Sequence, residues 1–243
     1  MSDHPIIGVL GGMGPEATVD LMRRVIAATP AEDDADHIHM IVDNNPKVPS
    51  RQKALVDGTG ASPGPVLAAM AASLEAAGAQ AIVMPCNTAH VYQTDIEAAI
   101  AVPMISMVSL ASARLAEWQP RPARVGLLAT RAVHQTGLYS RHLAEHGIEV
   151  LAPERQDDLT EVILAVKRGD NPAAVGQTFD TIAGELAHNG VDALLVACTE
   201  LSVLIRYLNQ DIVVLDALDV LSEAIVDFGT SGSHQPRAAA PQS

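Results

Sequence analysis

Aromatic residues are almost missing from this sequence: one Trp, three Tyr and two Phe among 243 residues. Hydrophobic residues still make up 48%, so a sizeable core is possible, but Ala, Val, Leu and Ile must fill it. Basic residues are also scarce, with 15 Lys and Arg against 29 Asp and Glu and a formal net charge of −14. That balance argues against nucleic acid and anionic lipid as partners, since both need a basic surface. A local basic pocket for a small anion remains open. No apolar run approaches the roughly 18 to 20 residues needed to cross a bilayer. The opening Met1-Ser2-Asp3-His4 lacks the basic and apolar regions of a signal peptide, so a reducing, cytoplasmic setting is expected. Two cysteines are too few for a disulfide framework, and in that setting a disulfide is not expected. His134, His142, His146 and His188 show no metal-ligand spacing, and no metal is expected.

What is present is alternation. Short β-rich runs, Ile6–Leu10, His37–Val42, Ala81–Met84, Val102–Ile105, Arg124–Leu128, Ile148–Leu151, Ala193–Val196 and Ile212–Leu215, are separated by Ala-rich stretches of helical length. The spacing predicts helices over Pro15–Ala28, Pro65–Ala77, Val108–Trp118, Thr136–His146, Leu159–Lys167, Pro172–Asn189 and Asp216–Phe228. Continuous apolar strands alternating with helices indicate an α/β fold with parallel sheets covered on both faces. From Gly229 the chain turns to Gly, Ser, Gln, Pro and Ala, and residues 230–243 are expected to be a disordered tail.

The chain also repeats itself. Gly78-Ala79-Gln80-Ala81-Ile82-Val83-Met84-Pro85-Cys86-Asn87-Thr88 aligns without gaps on Gly190-Val191-Asp192-Ala193-Leu194-Leu195-Val196-Ala197-Cys198-Thr199-Glu200, 112 residues later. Each copy is a helix-ending Gly, a strand, and a Cys at the strand's carboxyl end. Ile7-Gly8-Val9-Leu10-Gly11-Gly12 has a looser counterpart in Val125-Gly126-Leu127-Leu128-Ala129-Thr130. Two similar α/β halves are therefore expected. Ligands in open α/β sheets collect at the carboxyl ends of strands. If the halves face each other about a pseudo-twofold axis, Cys86 and Cys198 stand on opposite walls of one cleft.

Opposed thiols suit the inversion of a stereocentre. A proton must leave one face of a carbon and another must arrive at the opposite face, and a single base tends to return its proton to the side it came from. A thiol with pKa near ~8.5 can be brought toward neutrality by neighbouring donors or helix N-termini, which strand-to-helix turns supply. Asn87, Thr88 and Thr199 are candidate donors to a substrate carboxylate, although helix capping accounts for them equally well. Met13 and Gly14, in the first strand-to-helix turn, are expected to line the same cleft. His90 and Glu200 follow the two Cys motifs. Either can orient a neighbour or tune its thiol, and a capping or core hydrogen-bonding role is equally open.

Five segments together resemble the aspartate/glutamate racemase family, in its aspartate-racemase branch. They are Gly11-Gly12-Met13-Gly14-Pro15, Asn44-Asn45-Pro46-Lys47-Val48-Pro49-Ser50-Arg51, Pro85-Cys86-Asn87-Thr88-Ala89-His90, Gly126-Leu127-Leu128-Ala129-Thr130 and Ala197-Cys198-Thr199-Glu200-Leu201. The likeness runs from about Ile6 to Phe228. It implies two pseudo-symmetric lobes with the site between them, a homodimer, and two-base racemisation without pyridoxal phosphate, metal, nucleotide or any other cofactor. On it, residues 1–100 form a first lobe completed by 208–229, and 101–207 form the second. Cys86 and Cys198 are implied to be catalytic. Met13, Gly14, Asn45, Arg51, Asn87, Thr88, Thr130, Lys167, Thr199 and Glu200 are implied to bind a small amino-acid substrate. Arg51 can grip a second, side-chain carboxylate in bidentate fashion and Lys167 can add a point charge, which favours dicarboxylic substrates. On sequence alone the favoured reading of Arg51 is a solvated loop residue, and of Lys167 a cation at a helix C-terminus. The chain departs from the branch at Pro49-Ser50-Arg51, where Pro-Asp-Arg is usual, and at Arg131-Ala132-Val133-His134-Gln135-Thr136.

Other readings stay open. Within the superfamily these are a broad-specificity racemase, a hydantoin racemase or a maleate-type isomerase. Gly12-Met13-Gly14-Pro15-Glu16-Ala17 also fits a dinucleotide-binding turn, with Asp43 placed as a ribose ligand, but that reading leaves the repeat and the second Cys unexplained. A non-catalytic small-ligand binder would suit two lobes and has no need of paired thiols.

Overall fold

The computed structural model describes residues 4–231. It contains two four-stranded parallel sheets. In the first, β1 (Ile7–Gly11), β2 (Met40–Asn44), β3 (Ala81–Val83) and β4 (Met104–Ile105) stand in the order β2-β1-β3-β4. In the second, β5 (Arg124–Ala129), β6 (Glu149–Leu151), β7 (Ala193–Ala197) and β8 (Val213–Asp216) repeat that order as β6-β5-β7-β8. Central strands β1, β3 and β7 are buried along their whole length, whereas edge strands β2 and β6 are only partly covered. This is the pattern of parallel strands roofed by helices on both faces.

The principal helices are α1 (Pro15–Ala28), α2 (Arg51–Leu55), α3 (Gly64–Ala76), α4 (Gln93–Glu97), α5 (Met107–Glu117), α6 (Arg131–Gln135), α7 (Leu138–Ala144), α8 (Gln156–Lys167), α9 (Pro172–His188), α10 (Thr199–Ser202) and α11 (Ala217–Ser231). Successive strand side chains point to opposite faces, and the cores divide accordingly. Ile7, Val9, Ala81, Val83, Val125, Leu127, Ala129, Ala193, Leu195 and Ala197 face inward and share one core with α1, α5, α7 and α11. Leu10 and Ile82 face outward against α3, and Leu128, Leu194 and Val196 face outward against α8 and α9.

The repeat extends into packing detail. A Cβ on Gly8 would sit 2.7 Å from Ile82 Cδ1 and 3.1 Å from Leu74 Cβ; one on Gly126 would sit 2.8 Å from Leu194 Cδ2 and 3.2 Å from Leu186 Cβ. Each half uses a glycine in its central strand to let the covering helix approach closely.

The lobe boundaries differ from those expected. β4 lies beyond residue 100 but pairs with β3 in the first sheet. β8 lies within 208–229 but pairs with β7 in the second, so that stretch does not return whole to the first half. The crossing elements are helices: α11, after the second sheet, packs on α1, and α5, after the first, packs on α7. α5 and α11 also pack on each other. Thr230 and Ser231, placed by sequence in a disordered tail, end α11; the rest of that tail lies outside the described residues. Among the described residues no helix is long and apolar enough to cross a membrane.

Candidate active site

The carboxyl ends of the four central strands converge on a cavity of about 440 Å³. The turn after β1 brings Gly12, Met13 and Gly14. The turn after β3 brings Cys86, Asn87 and Thr88; β5 is followed by Thr130, and β7 by Cys198, Thr199 and Glu200. Arg51 and Lys167 complete the set expected from sequence. Two hydrogen bonds stitch the halves across the floor: Thr88 Oγ1 to Thr130 Oγ1 at 3.0 Å, and Thr199 Oγ1 donating to the Pro85 carbonyl at 3.5 Å.

Asn45 is the exception. It is not among the lining residues, its Oδ1 accepts the Lys47 N–H at 3.0 Å, and its Nδ2 faces Met70 Sδ at 3.5 Å. Its backbone lies against the Gly12 turn. Gly12 has φ of +89°, and a Cβ there would fall 2.3 Å from the Asn45 carbonyl carbon. The turn is tight because two backbone segments meet, with no room behind Gly12. The strand order 2-1-3-4 also departs from the 3-2-1-4-5-6 order of dinucleotide-binding folds.

Both thiols are free and buried, and their surroundings differ. Cys198 Sγ donates to Glu200 Oε2 at 3.1 Å, and Glu200 Oε1 lies 3.5 Å from Lys167 Nζ. Burial pushes the Cys198 thiol well above its usual range, the Glu200 charge adds to that, and Lys167 opposes both. At rest Cys198 therefore carries its proton. Burial disfavours the charge on Lys167, but Glu200 and the two cysteines outweigh it, and the Lys167 pKa is raised. Among the described residues no carboxylate is hydrogen-bonded to Cys86 as Glu200 is to Cys198. Two residues after it stands Thr88, where the repeat places Glu200 in the second half.

The turns behind the cysteines are shorter than expected. Thr88–Tyr92 is a 3-10 turn and α10 has four residues. A macrodipole sums over aligned peptides, so such turns contribute little, and burial, Glu200 and Lys167 are what act on the Cys198 thiol. His90 does not reach the cavity. It is buried, its Nδ1–H donates to the Cys86 carbonyl at 2.9 Å, and its Nε2 accepts the Met107 N–H at 3.2 Å. Burial pushes its pKa down to about 4, so the ring is neutral.

Two lining residues carry buried polar atoms without a hydrogen-bond partner: Asn87 Nδ2 and Glu200 Oε1. Asn87 is oriented by Tyr139, whose hydroxyl donates to Oδ1 at 2.5 Å and leaves Nδ2 free. The cavity thus presents one donor without a partner and one carboxylate oxygen whose charged neighbour is the Lys167 ammonium at 3.5 Å. Buried groups of this kind are normally satisfied, and a ligand is one way of satisfying them.

Arg51 opens α2, whose N-cap Ser50 accepts the Lys53 N–H at 3.3 Å. Ser caps a helix about as well as Asp, so the departure from Pro-Asp-Arg keeps the local architecture. The guanidinium donates to the carbonyls of Pro49 at 3.1 Å, Met13 at 3.4 Å and Val48 at 3.5 Å, and makes no ion pair among the described residues. Sequence reasoning missed the wall formed by Glu16, Asp20 and Arg23 of α1. Their spacing of four and three residues puts them on one helical face, a signal that was there to be used. Among the described residues no group of three or more His, Cys, Asp or Glu is arranged to hold a metal.

Comparison with known proteins bears on this geometry. Residues 10–225 match the family described as Asp/Glu/hydantoin racemase. The chain is 28% identical, over 91% of its length and 96% of the relative's, to the broad specificity amino-acid racemase RacX of Bacillus subtilis (strain 168). The structure of Picrophilus torridus aspartate racemase superposes with a TM-score of 0.82 at 32% identity, covering 92% of this chain and 93% of that one. Glutamate racemase isoform RacE1 of Bacillus anthracis shares the fold, with a TM-score of 0.66 at 20% identity over 92% and 80% of the two chains. With the match spanning nearly the whole sequence, the chain belongs to the Asp/Glu/hydantoin racemase family and is an isomerase.

Proposed function

We propose that this chain is a cofactor-independent amino-acid racemase that interconverts L- and D-aspartate, with glutamate as a second substrate, using Cys86 and Cys198 as opposed acid and base. The observation that carries this reading is the presence of two free thiols, at equivalent strand ends of two repeated halves, in the wall of one cavity. In one direction Cys86 acts as thiolate and takes the Cα proton, while the Cys198 thiol gives its proton to the opposite face. In the other direction the Cys198 thiolate left by that step takes the Cα proton, and the Cys86 thiol gives its proton to the opposite face, which restores the starting pair. The roles of the two thiols thus swap with substrate chirality.

The free Asn87 donor and the Glu200 carboxylate in the wall suit a zwitterion. Asn87 Nδ2, with the Thr88 and Thr199 hydroxyls, serves the α-carboxylate, and Glu200 Oε1 serves the α-ammonium. Arg51 receives the side-chain carboxylate, assisted by Lys167. Met13, Gly14 and Thr130 shape the floor. A cytoplasmic homodimer is part of the same proposal, carried by the family resemblance. Broad specificity is the second reading, favoured by the relationship to the Bacillus subtilis enzyme. Chiral chromatography of products from Cys86→Ala and Cys198→Ala tests the mechanism. Loss of racemisation in both is expected, and full turnover by either would overturn it.

A further inference from the structure

Four residues after each cysteine a side chain turns away from the cavity and grips the start of a helix from the opposite sequence direction. After Cys86 this is His90, whose Nε2 accepts the N–H of Met107, the first residue of α5. After Cys198 it is Ser202, whose Oγ donates to Asp216 Oδ1 at 2.9 Å. The same oxygen accepts the N–H of Leu218, the second residue of α11, at 3.0 Å. Helices α5 and α11 pack on each other inside the shared core. A continuous path therefore runs from the Cys86 turn through His90, α5, α11, Asp216 and Ser202 to the Cys198 turn. His90, Ser202 and Asp216 are buried, and none of them lines the cavity. The other carboxylate oxygen of Asp216 meets Arg24 of α1 at 2.7 Å, and the first turns of α1 form one wall of the cavity.

We infer that this path is a bar that sets the two sulfurs in opposition, and that Ser202 and Asp216 are positioning residues for Cys198. A buried carboxylate is costly unless its oxygens are satisfied. Asp216 spends its bonds on the three elements that must keep register: α10, α11 and α1. Replacement of Ser202 by Ala cuts the link to the cysteine turn and leaves the cap on α11 and the Arg24 pair in place. The inference rests on the two-thiol reading.

The test is proton NMR of racemisation in D2O by wild type, Ser202→Ala and Ser222→Ala. Ser222 is a buried serine of α11 whose Oγ donates within its own helix, to the Asp219 carbonyl at 2.8 Å, and makes none of the side-chain bonds that link the bar to either cysteine turn, so it controls for lost stability. In Ser202→Ala, kcat is expected to fall roughly ten- to hundredfold, as misplacement by about 1 Å does, with KM within about twofold. Deuterium should also enter the starting enantiomer faster relative to inversion, because the abstracting thiol works while its opposite number is misplaced. Ser222→Ala should keep the wild-type ratio of exchange to inversion. An unchanged ratio in Ser202→Ala, or an equal change in Ser222→Ala, overturns the bar. Absence of racemisation in the wild type instead overturns the two-thiol reading on which it rests.

Discussion

Replacing Arg51 by Gln should separate acidic from neutral substrates. The guanidinium makes three bonds to carbonyls, two of them at 3.4 Å or longer, so it has donor capacity to spare for a carboxylate. A hydrogen bond to a charged group contributes about 1.5–3 kcal/mol, and a half-exposed site sits toward the lower end. About 2 kcal/mol corresponds to roughly a 30-fold loss in kcat/KM for L-aspartate. A substrate without a side-chain carboxylate, such as L-alanine, makes no use of this interaction and should change less than about threefold. The assay is the initial rate of racemisation of both amino acids, for wild type and variant, by chiral chromatography. Arg51→Lys should recover part of the loss, since it keeps the charge without the fork. Equal losses for aspartate and alanine, or none for either, would refute the assignment and favour the broad-specificity reading.

Three further outcomes follow from the geometry. Glu200→Gln should weaken L-aspartate roughly tenfold or more, through the lost ammonium contact, and leave inhibition by succinate no weaker; parallel losses would contradict the zwitterion assignment. His90 has a folded pKa of about 4 against about 6.5 unfolded, so it costs nothing above pH 6.5 and opposes folding as pH falls toward 4, by up to roughly 3 kcal/mol. Its imidazole 15N shifts should show a neutral ring carrying the Nδ1 proton at about pH 5, and protonation near 6.5 would contradict the buried role. Gly12→Ala drives a methyl into the Asn45 backbone at positive φ. Overpacking of this kind costs about 1–3 kcal/mol and the left-handed backbone a further ~1, so Tm should drop by roughly 5–15 °C with loss of racemisation. An unchanged Tm would sink that argument.

The two sheets and the converging cysteines were legible because buried parallel strands write themselves as continuous apolar runs, and because the repeat carries Gly8, Ile82 and Cys86 onto Gly126, Leu194 and Cys198. The short helices α2, α4, α6 and α10 were not, since four to five residues have no measurable period. α6 begins right after Thr130, whose hydroxyl caps it, five residues before the helix expected at Thr136. The lobe boundaries were misplaced for a tertiary reason: β4 and β8 stay with their own sheets while α5 and α11 cross, and amphipathic periodicity does not say which sheet a helix covers. Asn45 sits in a motif of the right composition, yet its amide serves the turn rather than the cavity. The Glu200–Lys167 pair is 33 residues apart in sequence and was visible only as two separate candidates.

The central claim is proton transfer at Cα between two thiols, and proton NMR of L- and D-aspartate in D2O with purified protein and no added cofactor tests it most directly. Loss of the Cα–H signal together with appearance of the opposite enantiomer is the expected result, with glutamate run in parallel to rank the two acids. No exchange with either acid would leave the family assignment standing and contradict the acidic-substrate account.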